Sequence, residues 1–181
     1  AWGAASSSIG NIGYSSNDVV LVMDATMPTT AQNGVLFEAG SSAGQGAFVG
    51  IVDGKFVVSA GDGTTVGTES DADTALVSLS LPDSRFPFDG TDHEIAVVVL
   101  PSTGAIQLYV DGELIATAVT TTGKFPENQW HDSNAAGFGA TSSDVVSGGT
   151  DTAWPAGSSG NLRVWPWSEG MAPAADTTTA Y

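Results

Sequence analysis

The chain has 181 residues, a length that predicts one domain with a single core. Its 4 basic and 20 acidic residues give a net charge of −16, which argues against nucleic acid, anionic membranes and polyuronates as partners. The absence of Cys excludes disulfides and thiolate chemistry. No apolar run approaches the roughly 18 residues that a membrane-spanning helix needs, so we predict no membrane insertion.

Strand-like runs separated by polar, glycine-rich segments recur along the chain. In order they are DVVLVMD, GVLFEAG, AFVGIVDGKFVVSA, ALVSLSL, HEIAVVVL, AIQLYVDGELIATA, AAGFGA and NLRVWPW. No helical period competes with them. The pattern predicts an all-β, antiparallel sandwich or barrel that spans residues 1–181 as one domain.

Two Asp-Gly pairs predict tight hairpin turns. Asp53-Gly54 divides AFVGIV from KFVVSA, and Asp111-Gly112 divides AIQLYV from ELIATA. Asp and Gly tolerate the positive φ angles of a two-residue type I′ turn. In the second hairpin Ile106, Leu108 and Val110 alternate with more polar residues, which predicts one face on the core and the other toward solvent.

Two segments in particular resemble a known family. DGTDHEIAVVVLPSTGAIQLYVDGELIATA (89–118) and SGNLRVWPWSEGMAP (159–173) resemble the central meander and closing strand of the laminin-G-like and pentraxin-like branch of the concanavalin A-like lectin superfamily. GVLFEAG and AFVGIVDGKFVVSAGDG resemble its earlier strands more weakly, so the resemblance spans residues 18–173. It implies a jelly roll of two curved antiparallel sheets, commonly a glycan-binding or protein-binding module and often dependent on calcium.

The resemblance also raises the question of catalysis. Hydrolytic members of the superfamily carry alternating carboxylates on one strand, and the nearest match here is Glu69, Asp71 and Asp73 in TESDADT. The flanking residues are polar rather than apolar, so a solvated loop or a metal contact is the favoured interpretation. The two histidines, His93 and His131, are far apart without a nucleophile elbow, and His93 is assigned to packing or hydrogen bonding. We predict no catalytic residue.

Calcium is the one cofactor that the sequence suggests, although none is required. Asp71, Asp73, Asp144 and Asp151 lie in Gly/Ser-rich loops whose carboxylates and carbonyls suit a hard cation. In the pentraxin-like pattern Asp144 falls at a ligand position, but Ser142 and Ser143 replace the expected Glu and Gln. Half of the ligand set implied by the resemblance is therefore missing.

Four of the five tryptophans lie in the last third of the chain: Trp130, Trp154, Trp165 and Trp167. Aromatic rings often stack on sugars. We assign Trp165 and Trp167 to packing on a strand that Pro166 marks as an edge or a bend. Trp154, in the loop DTAWPAG, is the predicted ligand contact, together with Asp132, Asp144 and Asp151.

The sequence therefore predicts a non-catalytic surface-recognition module, extracellular or on a virion surface. The first hypothesis is a glycan-binding or adhesion module. The second is a structural decoration protein that binds identical subunits or a capsid shell, which we expect if Ala1 follows a removed initiator Met and the chain is complete. A hydrolase of a neutral polysaccharide is a distant third.

Overall fold

The computed structural model describes residues 18–40, 45–62, 74–123, 125, 137–139, 154–155 and 159–166. These residues form ten β-strands and no helix. The strands are β1 (Val19–Thr26), β2 (Gly34–Gly40), β3 (Gln45–Val52), β4 (Lys55–Asp62), β5 (Thr74–Ser80), β6 (Asp92–Leu100), β7 (Ala105–Val110), β8 (Glu113–Val119), β9 (Gly137–Phe138) and β10 (Ser159–Pro166). Within this part of the chain, nothing has the helical length and apolarity needed to cross a bilayer.

The strands form two antiparallel sheets of five. The first sheet has the order β10-β1-β6-β7-β8, and the second has the order β5-β4-β3-β2-β9. β8 lies across from β5, so the two sheets stack face to face as a sandwich. The predicted all-β sandwich is confirmed, and Pro166 ends an edge strand as predicted.

The core lies between the two inner faces and follows from the alternation of apolar residues. Ile106 and Leu108 are fully buried, whereas Gln107 and Tyr109 between them are partly exposed. The largest fully buried side chains of the two sheets meet in this layer: Leu21, Met23, Ile95, Ile106 and Leu108 from the first sheet, and Leu36, Phe37, Ile51 and Phe56 from the second.

Both predicted hairpin turns are present. Asp53 and Asp111 have φ of 48°, and Gly54 and Gly112 have φ of 75° and 80°. Positive φ at both central residues is the geometry of the type I′ turn that the Asp-Gly pairs predicted. The run AAGFGA contributes only the two residues of β9 to the described sheets.

Both turns lie at the same end of the sandwich, which we call the hairpin end. There the Leu81 N–H donates to Gly54 O (3.0 Å), and the Met27 N–H donates to Thr91 O (2.8 Å). The opposite end, the far end, holds the last residues of β2 and β4 and the first residues of β3 and β5, as their pairing register requires. Residues 63–73 therefore leave and rejoin the second sheet at the far end.

Candidate functional site

Most of the predicted site residues lie outside the described part of the chain. These are Asp71, Asp73, Asp132, Asp144 and Asp151, and with them Glu69, Trp130, His131 and Trp167. Trp165 belongs to β10 and pairs with Val20. Trp154 is the one predicted ligand-binding residue whose side chain is described.

Trp154 is a core residue held by three contacts at the hairpin end. Its side chain belongs to the main core, and the residue is 3% exposed. Its indole Nε1 donates to Thr26 O at 2.8 Å, and its ring lies edge-on to Phe56 with centroids 6.5 Å apart. Phe56 in turn packs against Phe86, at a centroid distance of 4.1 Å. The three rings close the core at this end of the sandwich.

The prediction that Trp154 contacts a ligand therefore needs correction. A ring that is 3% exposed offers no face to a sugar at the surface. Its polar loop neighbours suggested exposure, but the contacts with Phe56 and Thr26 join residues that are far apart in the sequence, and no local pattern reports such contacts. Core packing, the ordinary alternative for a tryptophan, is what the structure supports.

The Trp154 backbone also joins the two ends of residues 140–153. Its N–H donates to Gly139 O (3.0 Å), and the Gly139 N–H donates to Leu36 O (2.7 Å). The two ends of residues 140–153, which include Asp144 and Asp151, are therefore fastened together and to β2. In the second sheet, β9 is three strand spacings, about 14 Å, from β4, where residues 63–73 begin, and four, about 19 Å, from β5, where they end. Both of these ends also lie about 13 Å farther along the strands. The ends of residues 63–73 and the ends of residues 140–153 are thus at different places on the second sheet.

A polar cluster surrounds His93 at the hairpin end, and we call it the His93 cluster. It consists of Asp89, Thr91, His93 and Asp111. His93 Nδ1 is 2.5 Å from Asp111 Oδ2, and Nε2 is 2.9 Å from Thr91 Oγ1 and 3.3 Å from both carboxylate oxygens of Asp89. The other oxygen of Asp111 accepts the Glu94 N–H at 3.0 Å, so the cluster ties the β7–β8 turn to β6. The predicted hydrogen-bonding role of His93 is confirmed.

Hydrogen bonds link the Thr91 hydroxyl to His93 and His93 to Asp111, which is the arrangement of a nucleophile, a base and an orienting carboxylate. Asp89 disrupts this arrangement, because its Oδ1 lies 2.9 Å from Thr91 Oγ1 and accepts the hydroxyl proton. Asp89 also faces the ring nitrogen that would have to act as the base. Two carboxylates around one imidazole favour imidazolium, which cannot accept a proton. The arrangement suits a structural clamp better than a nucleophilic site.

The electrostatics of the cluster follow from these contacts. Partial burial alone would lower the pKa of His93, but the hydrogen bonds and charges of Asp111 and Asp89 outweigh it, and the pKa is raised above 6.5. The pKa of Asp89 is lowered, first by the Thr91 N–H and then by the Thr91 hydroxyl and His93. Sequence reasoning missed the full cluster, because the β6–β7 register, which brings Asp111 beside Glu94, is visible only in the structure.

A second polar group lies on the outer face of the first sheet. Arg163 Nη2 donates to Asp24 Oδ1 at 3.0 Å and to Glu94 Oε2 at 2.9 Å. Burial raises the pKa of Glu94, with Asp24 adding to the effect and Arg163 opposing it. A glycosidase uses two carboxylates that flank the glycosidic bond, but here one guanidinium bridges both carboxylates. Among the described residues, no group of three or more His, Asp or Glu has the geometry to hold a metal ion.

Replacing Trp154 separates its structural role from ligand contact. We expect Trp154→Ala to lower the free energy of unfolding by about 3 to 5 kcal/mol, because it removes a buried aromatic side chain and leaves a cavity. Trp154→Phe keeps a ring against Phe56 but loses the bond to Thr26 O, and should cost about 1 to 2 kcal/mol. Urea unfolding measures both. If Trp154→Ala lowers the free energy of unfolding by less than about 1 kcal/mol, Trp154 does not have the structural role described above.

The His93 cluster predicts a pH dependence of stability. Because the folded-state pKa of His93 lies above 6.5, its imidazolium contributes stability that is fully present below pH 6.5. That stability is lost as the pH rises through the folded-state pKa. The difference in unfolding free energy between the wild type and His93→Gln should therefore shrink as the pH rises above about 6.5. A difference that stays constant, or grows, over this range would show that His93 is not held as imidazolium.

No protein-family model matches the chain, and no curated protein sequence matches it either. Its structure is similar to domains LG4-5 of the mouse laminin α1 chain, with a TM-score of 0.59 and 18% identity, covering 94% of this chain and 42% of that one. It is similar to the CBM40 of the Ruminococcus gnavus IT-sialidase bound to α2,3-sialyllactose, with a TM-score of 0.57 and 16% identity, covering 89% and 80%.

A third similar structure is tailspike protein 2 of Escherichia coli O157:H7 bacteriophage CAB120, with a TM-score of 0.54 and 17% identity, covering 87% of this chain and 21% of that one. The chain thus spans less than half the length of the laminin and tailspike chains. At these identities the similarity concerns the fold. The chain adopts the concanavalin A-like jelly-roll fold of laminin G and CBM40 domains, as its sequence resemblance predicted.

Proposed function

We propose that the protein is a non-catalytic module that binds neutral glycans on the extracellular side of a cell or on a virion surface. The contacting residues are Asp144 and Asp151 in residues 140–153, with Asp132 in residues 126–136. Trp154 supports this site from below rather than contacting the glycan.

The closed base of residues 140–153 is the observation that carries the proposal. Trp154 is fixed by two hydrogen bonds and a ring contact, so the segment starts and ends on rigid core structure. A surface segment held by a rigid scaffold is the usual form of a binding loop. Asp144 and Asp151 bring carboxylate oxygens, which accept hydrogen bonds from sugar hydroxyls.

The fold supports the same class of function. The CBM40 that the chain resembles was solved with bound α2,3-sialyllactose. A jelly roll does not by itself imply a ligand, so we add the electrostatics of this chain to define the glycan.

The charges favour a neutral glycan over a sialylated one. Arg85 and Arg163, two of the four basic residues, are engaged in ion pairs with Asp83 and with Asp24 and Glu94. A ligand that carries a carboxylate would have to approach a molecule of net charge −16, and both of these arginines are already paired with carboxylates of the protein. A neutral oligosaccharide meets no such repulsion.

A paired glycan array tests the proposal. Each sialylated oligosaccharide is printed beside its desialylated form, and we expect binding only to neutral members. Asp144→Ala and Asp151→Ala should each weaken binding about tenfold, the cost of one hydrogen bond to a charged group. The control is Glu113→Ala, which removes an exposed carboxylate on β8 and should leave affinity unchanged.

Two results would contradict this proposal. One is an array without any hit, and the other is a loss of binding in Glu113→Ala equal to that in the loop variants. Binding confined to sialylated glycans would still support a glycan-binding module, but it would contradict the proposed preference for neutral glycans.

Calcium remains a separate proposal for the same segment. We propose that Asp144 and Asp151 contact one ion, and that Asp71 and Asp73 do not share it, because residues 63–73 begin and end at the far end. Calcium at a hundredfold excess over its dissociation constant should stabilise the fold by about 2.7 kcal/mol. Asp151→Asn should abolish this gain and Asp73→Asn should not. A melting temperature that a chelator does not change would contradict the calcium proposal.

An assembly role is the second candidate, and one observation favours it. Leu114 and Val119 on edge strand β8 are 49% and 58% exposed, the large hydrophobic side chains that the described surface leaves most open. Exposed apolar side chains on a sheet edge are typical of contacts between subunits. The protein would then be a decoration subunit of a capsid shell or an extracellular assembly.

Salt dependence distinguishes this second candidate. Subunits of net charge −16 repel one another, so self-association through β8 should strengthen as the Debye length falls from about 30 Å at 0.01 M salt to about 3 Å at 1 M. Sedimentation equilibrium across this range measures the effect, with Leu114→Lys as the variant expected to abolish it. A protein that stays monomeric at every salt concentration would contradict the assembly role and leave glycan binding as the remaining proposal.

A further inference from the structure

Four strands lie at the edges of the two described sheets: β10 and β8 in the first, and β5 and β9 in the second. An open edge can pair with another chain, and proteins commonly prevent this with charge, proline or a very short strand. β10 contains Arg163 and ends at Pro166, β9 has two residues, and the exposed residues of β5 are serines. Of these described edges, β8 is the one that exposes large apolar side chains, Leu114 and Val119.

The outer face of the first sheet is open at β8 and closed at its centre. Val20 of β1 and Ala96 and Val98 of β6 lie on this face, and each is at most 1% exposed. On the same face Leu114 and Val119 of β8 are 49% and 58% exposed. The apolar surface that a partner could cover is therefore confined to the β8 edge.

The surroundings of β8 in the sequence are uncharged. Residues 114–123 (LIATAVTTTG) contain no Asp, Glu, Lys or Arg, although the chain has 24 such residues (4 basic plus 20 acidic), and the neighbouring strand β7 (AIQLYV) contains none either. A partner of the same sequence also carries a net charge of −16, so two copies approach each other at least cost where neither is charged. An apolar edge in an uncharged stretch favours a second copy of this chain as the partner.

The backbone contact of Thr120 shows which groups of β8 face the open edge. The Thr120 N–H donates to Gly104 O at 2.8 Å, on the β7 side. Along a strand in an antiparallel ladder, the N–H and C=O groups of successive residues point to alternate sides. The backbone groups of Ala118 therefore also point to β7, and those of Thr117 and Val119 point to the open edge.

A β-bulge limits the part of β8 that can pair regularly. The register with β7 is irregular between Leu114 and Ala116, so the strict alternation begins at Ala116. From there on, Ala116 and Ala118 pack against the core, whereas Thr117 and Val119 are exposed. Directly opposite residues of an antiparallel pair lie on the same face, so a pairing strand must match this alternation.

We infer that β8 pairs antiparallel with β8 of a second copy, about a two-fold axis at Ala118. In this register Thr117 lies opposite Val119 of the partner subunit and exchanges both backbone hydrogen bonds with it, as Val119 does with Thr117 of the partner subunit. Ala118 faces Ala118 of the partner subunit in a non-hydrogen-bonded pair, where side chains are closest and a small residue fits. The two first sheets join into one sheet of ten strands (five plus five).

This inference deepens the assembly role, the second candidate above, and rests on it. A two-fold contact uses the same surface on both copies and closes at the dimer, so it does not extend into a filament. Glycan binding is independent of it, because the ends of residues 140–153 are fastened to β2, which belongs to the other sheet.

The absence of Cys allows the register to be tested by disulfide crosslinking. Ala118→Cys places two thiols across the axis at a Cα–Cα distance of about 4.5 Å, which a disulfide can span. In 1 M salt, where the Debye length is about 3 Å, it should crosslink at least ~10-fold faster than Ser102→Cys, an exposed loop control, because pairing raises the effective concentration. A mixture of Thr117→Cys and Val119→Cys should crosslink as a heterodimer, whereas each alone should react no faster than the control.

Thr117→Pro tests the hydrogen bonds independently. It removes an N–H that faces the open edge and none that faces β7, so the fold should tolerate it as edge strands tolerate proline. We expect an unchanged far-UV circular dichroism spectrum and, in sedimentation equilibrium at 1 M salt, a monomer where the wild type is a dimer. If Thr117→Pro unfolds the protein, the crosslinking result decides.

The outcomes separate this inference from the proposals above. Crosslinking of Ala118→Cys no faster than that of Ser102→Cys would overturn it. Self-crosslinking of Thr117→Cys or Val119→Cys above the control would overturn this register but still support an assembly role for β8. A wild type that is monomeric at 1 M salt would overturn both the inference and the assembly role, and would leave the glycan-binding proposal unaffected.

Discussion

The burial of two facing sets of apolar side chains is the interaction on which this molecule depends. Leu108 and Phe37 are typical: each is fully buried, and each belongs to a different sheet. At the hairpin end the layer is closed by the Trp154 ring, and the Trp154 backbone N–H joins the two ends of residues 140–153 by donating to Gly139 O. The positions of the two ends of residues 140–153 thus depend on core packing.

Electrostatics explains how an acidic chain keeps this fold. Arg163 bridges Asp24 and Glu94 on adjacent strands, and His93 lies between Asp89 and Asp111. Each basic group offsets repulsion where the sheet register or a turn brings carboxylates together. Because these cations are engaged in structural contacts, they are poorly placed to recognise an anionic ligand. The small number of basic residues therefore affects both the stability of the fold and the preference for neutral glycans that we propose.

Local patterns predicted the fold but not the burial of Trp154. The Asp53-Gly54 and Asp111-Gly112 turns and the alternation in β7 are properties of neighbouring residues, and the structure confirms them. The burial of Trp154 depends on Phe56 and Thr26, which are distant in sequence, so its polar neighbours gave the wrong expectation. The single-domain assignment and the roles of Asp132, Asp144 and Asp151 stay predictions.

The central claim is that residues 140–153, whose two ends are joined at Gly139 and Trp154, contribute to a site that binds a neutral glycan. NMR chemical-shift mapping with a neutral oligosaccharide tests it most directly, because it reports every backbone amide at once. The account predicts shifts concentrated in residues 140–153 and 126–136, and none at Val20, Ala96 or Val98. Shifts centred on the outer face of the first sheet, or no shift with any glycan, would contradict it.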